Sequence, residues 1–281
     1  MKIDLSSKTI LITGGGGVLC HAMALGLAEC GATLIVLNRT AGKGEKVAQE
    51  IRERGGKAFA VSADVTSKAS LEAAREKINA QVGGIDILVN GAGGNSPGGS
   101  TTRETSGANP EAPEFTAAGS FFGLDEAAVR SVFDLNFLGS LLPCQVFGPD
   151  LAKRKGSSIV FVSSMGSYSP MTKGPVYCAA KAAINNFTQW MAVHFAEAGI
   201  RVNAIAPGFF STEQNKHLLF NPDGSPSPRT EKIIAHTPMR RLGVPEDLVG
   251  PLAWLCDDAV SGFVTGSVIP IDGGFMAYSG V

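Results

Sequence analysis

Four short apolar runs fall within the first ninety residues, and the first three each give way to a helical stretch. Thr9 to Ile12 stops at Thr13 and the glycines Gly14 to Gly17, and Val18 to Cys30 follows with helical spacing. Thr33 to Leu37 leads to a polar helix, Gly44 to Arg54, and Lys57 to Val61 leads to a Ser-capped one, Ser67 to Val82. Ile85 to Val89 closes on Asn90-Gly91-Ala92-Gly93. Parallel strands need a long crossover, most often a helix, so this rhythm constrains the fold strongly. It predicts an α/β chain: a doubly wound parallel sheet of about seven strands with helices on both faces.

The second half continues the pattern with strands at Ser157 to Val162, Ile200 to Ile205 and Ser267 to Ile271. Helices are expected over Leu124 to Lys155, Pro175 to Ala198 and Pro245 to Cys256. Pro143 falls inside the first of these, frees the carbonyl of Gly139, and should bend that helix near Asn136 to Gly139. Two stretches break the rhythm, at about 94–120 and 209–241. A long irregular insertion is either a functional loop or a tolerated surface excursion. No repeat or linker divides the chain, so 1–281 reads as a single domain.

A net charge of −1 gives no global field for nucleic acid or an acidic membrane. No basic patch is interleaved with aromatics, and no apolar run reaches the ~18 residues of a membrane span. The start, Met1 to Lys8, is too polar for a signal peptide. Five scattered cysteines without a Cys-x-x-Cys pair read as small buried hydrophobes in a reducing compartment, and no cluster has metal-ligand spacing. The expectation is a cytoplasmic protein without a metal.

Gly14 to Gly17 lies where the first strand meets the first helix, the place where glycines let a pyrophosphate approach a helix N-terminus. After the second strand the chain reads Leu37-Asn38-Arg39, with no acid to hold an adenosine 2′-hydroxyl. Arg39 suits a 2′-phosphate, which tilts the reading to NADP(H) and leaves NAD(H) open. Asp64-Val65 ends the third strand within reach of an adenine, and Asn90 to Gly93 can pass under the adenosine half. Tyr177 and Lys181 are four apart, one turn on one helix face. An ammonium beside a phenol should lower its pKa from ~10 and fit it to pass a proton near neutrality. Ser164 supplies a hydroxyl beside them.

Together these residues resemble the short-chain dehydrogenase/reductase family over essentially the whole chain. The matched pieces are Thr13-Gly14, Asp64, Asn90 to Gly93, Asn136-Phe137-Leu138-Gly139, Ser164, Tyr177-Cys178-Ala179-Ala180-Lys181, and Pro207-Gly208 with Thr212. The resemblance implies a single-domain Rossmann-type fold with Tyr177 as general acid/base. It implies that Lys181 depresses the Tyr177 pKa and bonds the nicotinamide ribose, and that Ser164 steadies the substrate oxygen. Asn136 would hold a water in a proton relay, and Pro207, Gly208 and Thr212 the carboxamide. Thr13, Gly14, Gly17, Val18 and Leu19 would line the cofactor loop. Two departures stand out: Val18 and Cys20 occupy the last two glycine positions of the family's loop, and Asn90-Gly91 replaces Asn-Asn.

The runs Asn185 to Trp190, His194-Phe195-Ala196 and Ala206 to Phe210 are similar to the family's D-mannonate oxidoreductase (fructuronate reductase) branch, which implies a sugar-acid substrate. Its carboxylate needs a cation, and the candidates are Lys173, Lys216, His217 and Arg229, with Arg103 weaker; Gln214 and Asn215 suit hydroxyls. Alternatives are a gluconate 5-dehydrogenase, a polyol dehydrogenase or a 3-ketoacyl reductase of the same fold, or a non-catalytic dinucleotide sensor. The complete Asn136, Ser164, Tyr177 and Lys181 set argues against the sensor. The resemblance also implies a homodimer or homotetramer.

Overall fold

A computed structural model describes residues 3–212 and 215–280. The strands are β1 (Thr9–Thr13), β2 (Thr33–Asn38), β3 (Lys57–Ser62), β4 (Ile87–Asn90), β5 (Ser158–Val162), β6 (Arg201–Pro207) and β7 (Val268–Ile271). They form one sheet in the order β3-β2-β1-β4-β5-β6-β7, with every neighbouring pair parallel. The order reverses between β1 and β4, which opens a crevice at the carboxyl ends of those two strands.

Side chains alternate across the sheet, and each face has its own core. Ile10, Ile12 and Val89 pack with Met23 and Leu27 of α1 (Val18–Glu29) and Val47 of α2 (Ala41–Glu53). Leu11, Leu88 and Phe161 pack on the other face with Leu71 of α3 (Lys68–Val82) and Phe147 further along the chain. Ser67 caps α3 by accepting the Ser70 amide at 3.3 Å.

The helix expected over 124–155 is two helices, α4 (Glu126–Phe133) and α5 (Gly139–Leu151), joined by a π-helical turn, Asp134–Leu138. The break falls where Pro143 withholds the amide that would have served the Gly139 carbonyl. A two-pronged ion pair fixes α5 to α3: Arg75 Nε and Nη2 each donate to Asp150 at 2.6 Å, and Asp150 is buried.

The helix bearing Tyr177 is α6 (Pro175–His194), with proline in its first turn, and it ends short of Ala198. The second irregular stretch carries α7 (Lys216–Leu219) and α8 (Pro228–His236). The helix expected from Pro245 begins as a 3₁₀ turn, Pro245–Leu248, before α9 (Val249–Cys256) and α10 (Asp258–Ser261). The 94–120 insertion holds only two 3₁₀ turns, Pro97–Gly99 and Pro113–Phe115. Among the described residues no helix is long and apolar enough to cross a membrane.

Candidate active site

The crevice between β1 and β4 is built from backbone pressed close to backbone. Gly14 has φ +65°, and a Cβ there would lie 2.8 Å from the Ala92 Cα. Only glycine combines that conformation with that approach. Thr13 Oγ1 accepts from the amides of both Gly91 and Ala92 at 3.1 Å, which ties the end of β1 to the exit of β4. Gly17 is the N-cap of α1, so Gly14 to Gly17 presents main chain at a helix N-terminus. The Asn90 side chain is buried, donates to Cys144 Sγ at 3.4 Å and leaves Oδ1 without a partner. Close main chain, a helix end and an orphaned acceptor suit a dinucleotide.

At the adenosine end, Asn38 Nδ2 donates to the Thr40 carbonyl at 3.0 Å. The Arg39 guanidinium is exposed, pairs with no carboxylate among the described residues within salt-bridge distance, and acts on Asp64 only at longer range. Asp64 Oδ1 accepts from the Thr66 hydroxyl and amide, and these bonds hold its carboxyl below the usual range. Val65 packs against Gly139, where a Cβ would come within 2.9 Å of its Cγ2. Lys43 was not anticipated: its Cβ lies 2.8 Å from where a Gly16 Cβ would stand, so a second exposed cation flanks the loop.

The chemical groups converge at the exits of β4 and β5. A Cβ at Gly93 would lie 2.8 Å from Asn136 Oδ1 and 3.1 Å from Lys181 Nζ, so these two side chains meet over Gly93. Lys181 is buried and donates to the Val162 carbonyl at 2.7 Å, with Nζ 5.7 Å from the Tyr177 ring centroid. Desolvation lowers the Lys181 pKa to about 8. Burial raises the Tyr177 phenol above its ordinary value, and a hydrogen bond with Ser164 offsets part of that. The expected depression by Lys181 is therefore outweighed by burial, which also lowers the pKa of Lys181 itself. Asn136 is buried and donates to the Gly94 and Val132 carbonyls at 2.7 and 2.8 Å, and its Oδ1 accepts the Gly94 amide at 3.2 Å. Its amide hydrogens are committed, so only oxygen remains to offer to a water.

Ser164 is buried, follows β5 and accepts the Gly166 amide at 3.1 Å. Below it Ser163 donates to Asn185 Oδ1 at 2.6 Å, and Asn185 Nδ2 donates to Ser167 Oγ at 2.7 Å. This network fastens the Ser164 segment to α6. Sequence reasoning did not assign Asn185 this role. The signal was present, because Tyr177, Lys181 and Asn185 recur at spacing four on one helix face.

The short chain dehydrogenase family model matches residues 8–221. The chain belongs to the short-chain dehydrogenase/reductase family. It is 57% identical over 278 residues to an uncharacterised oxidoreductase, UxuB, of Bacillus subtilis (strain 168), covering 99% of this chain and 98% of that protein. It superposes with TM-score 0.93, at 47% identity and over 99% and 98% of the two chains, on a Haemophilus influenzae structure with bound NAD, provisionally assigned as a D-mannonate oxidoreductase. A gluconate 5-dehydrogenase from Burkholderia cenocepacia, in complex with NADP and tartrate, is 28% identical with TM-score 0.83 over 98% of each chain. The chain is an NAD(P)-dependent oxidoreductase of this family.

Beside the crevice, a cavity of about 390 Å³ lies between Val18 and Leu19 at the start of α1, Met171, Gly208, Thr212 and Arg229. Gly208 cannot carry a Cβ, which would lie 2.7 Å from the Asp272 Cα, and its amide donates to the Ile271 carbonyl at 2.9 Å. The Thr212 amide donates to Asn215 Oδ1 at 2.8 Å. Arg229 is the one charged side chain lining this cavity among the described residues. Lys216 and His217 line a different cavity of about 640 Å³ beside Asn221 and Pro222, because Leu218 and Leu219 of the same short helix face the first. Lys173 is exposed near Glu104, whose carboxylate takes two hydrogen bonds from Lys232 on α8 at 2.8 and 3.0 Å. The Lys173 carbonyl accepts the Thr101 amide at 3.0 Å, so the 94–120 insertion touches both this segment and α8. Arg103 pairs with Glu114 inside the insertion. Gln214 lies outside the described residues.

Proposed function

We propose that this enzyme interconverts the secondary alcohol and ketone of a sugar acid, with D-mannonate and D-fructuronate as the pair. The observation that carries the reading is Arg229, an exposed guanidinium with no ion pair among the described residues, in a cavity that also touches the start of α1 and, at Met171, the Ser164–Tyr177 segment. A carboxylated substrate matches that cation. The name given to the Haemophilus influenzae relative supports the same pair.

Ser164 holds the reacting oxygen by its hydroxyl, and Tyr177 passes the proton. In oxidation the Tyr177 phenolate removes the hydroxyl proton, and in reduction the phenol returns it to the carbonyl oxygen. Bound nicotinamide supplies the hydride acceptor or donor at C4. Lys181 holds positive charge beneath Tyr177, Asn136 pins the floor at Gly94, and Thr212 with the Pro207-Gly208 backbone borders the nicotinamide end. Arg39 and Lys43 favour NADP(H); relatives carry either cofactor. The apolar residues Trp190 and Val193, exposed on α6, suit a homodimer face.

A panel of sugar acids and polyols run with NAD and NADP in parallel tests the reading. Turnover of D-mannonate above gluconate and neutral polyols is expected, with NADP(H) preferred. A tenfold preference for NAD overturns the role given to Arg39, and turnover confined to neutral alcohols overturns the substrate.

Two further results are expected. Arg229→Gln should raise KM for the sugar acid about 10- to 100-fold, the worth of a charge-assisted hydrogen bond, with the KM of a neutral polyol unchanged. Equal KM changes for both substrates would remove Arg229 from recognition. The second concerns pH. Oxidation needs the phenolate, and burial makes that form scarce, so kcat/KM for oxidation should rise with pH. The rise should flatten above about 8 as Lys181 loses its proton. Reduction needs the phenol and should stay level up to that point. An oxidation rate that falls as pH rises toward 8 contradicts this assignment.

A further inference from the structure

Two departures from the family's pattern, Cys20 where a glycine is usual and Gly91 where an asparagine is usual, meet in space. A Cβ on Gly91 would overlap Cys20 Sγ and lie 2.8 Å from the Thr13 carbonyl oxygen. The Gly91 peptide is held from both ends: its amide donates to Thr13 Oγ1 at 3.1 Å, and its carbonyl accepts from the Cys20 thiol at 3.5 Å. Cys20 sits on the first turns of α1, so it also links the helix N-terminus to the exit of β4. Its sulfur is buried, and Lys181 is near enough for the two to act on each other electrostatically.

We propose that Cys20 is a positioning residue of the cofactor cradle, whose side chain takes the volume that a larger residue at position 91 would fill and so sets the depth at which Gly91 to Gly93 pass beneath the dinucleotide. The two positions form one packing unit, with the side chain on α1 and none on the backbone that leaves β4. Burial pushes the thiol pKa up to about 12, so it acts as a neutral spacer and weak donor rather than as a nucleophile. The closeness of Gly93 to Lys181 and Asn136 carries a shift of this backbone directly to the groups that move the proton. The inference rests on the dinucleotide reading of the crevice.

A double-mutant cycle tests it, read as cofactor Kd by calorimetry with kcat and thermal melting measured alongside. Gly91→Asn should weaken cofactor binding about tenfold and Cys20→Gly a few-fold. The double variant Cys20→Gly/Gly91→Asn should recover part of the binding lost in Gly91→Asn, because the overlap with Cys20 is gone while the Thr13 carbonyl still lies 2.8 Å from the added Cβ. Cys20→Ser keeps size and donor and should stay near the parent. Should Gly91→Asn fail to fold, Gly91→Ala is compared in the Cys20 and Cys20→Gly backgrounds, where it should be less damaging in the second. A double variant no better than Gly91→Asn overturns the proposal. So does a cycle in which only melting temperature moves and cofactor Kd does not. Parent enzyme that binds neither NAD nor NADP would instead overturn the dinucleotide reading itself.

Discussion

Tyr177→Phe is expected to cut turnover by about 10²- to 10⁴-fold, the usual worth of a positioned acid or base. The ring packs with Val132, Val176 and Ala180, and phenylalanine keeps those contacts. The loss is therefore confined to the hydroxyl. Melting temperature and cofactor Kd should stay close to the parent, and steady-state kinetics in both directions should fall together, since the same oxygen gives and takes the proton. Near-native turnover in the variant would remove Tyr177 from the mechanism. An equal loss accompanied by a large fall in melting temperature would show damage to packing instead.

Asn136→Ala should be severe for a different reason. Three hydrogen bonds join this buried amide to the Gly94 amide, the Gly94 carbonyl and the Val132 carbonyl. Alanine removes all three bonds and leaves the buried Val132 carbonyl without this donor, at a cost of about 3 kcal/mol. A chain of this size should lose roughly 6–10 °C of melting temperature. Turnover should fall as well, because Gly93 and Gly94 carry the backbone on which Lys181 and Asn136 converge. Calorimetric melting and kinetics measured on one preparation separate the two effects. A variant with parental stability would show that the π-helical turn holds without this side chain.

The sheet was legible in the sequence because parallel strands buried on both faces appear as uninterrupted apolar runs, and Thr33 to Leu37 is such a run. Helix ends were less legible. Phe195 to Ala198 has helical composition, yet α6 stops at His194 because backbone turns take over there. The break near Asn136 could be anticipated from Pro143, whereas its π-helical form depends on Gly94 lying across the turn, a contact between residues 42 apart. Of the five cations offered for a carboxylate, Arg229 alone among the described residues lines the cavity beside the start of α1. Which side of a four-residue helix faces inward is set by Leu219 packing with Ile233 and Leu242, and local sequence does not reveal that. The Tyr177 pKa was read from a spacing that brings an ammonium near. The burial that opposes it is a property of the closed fold. Cys20 and Gly91 each read as a separate departure and became one unit only when the strands brought them together.

The contact between the 94–120 insertion and α8 has a consequence for assembly. Glu104 and Lys232 are 128 positions apart, and their link is exposed to solvent. Such a link contributes little by itself and forms only after the intervening strands have registered. The sheet is therefore expected to melt as a unit, with the exposed bridge from the insertion to α8 opening first, which amide exchange would check. Opening that bridge leaves Ser164, Tyr177 and Lys181 held by β5 and α6. The protein thus holds Ser164 and Lys181 in its interior and the link from the insertion to α8 at its exposed surface.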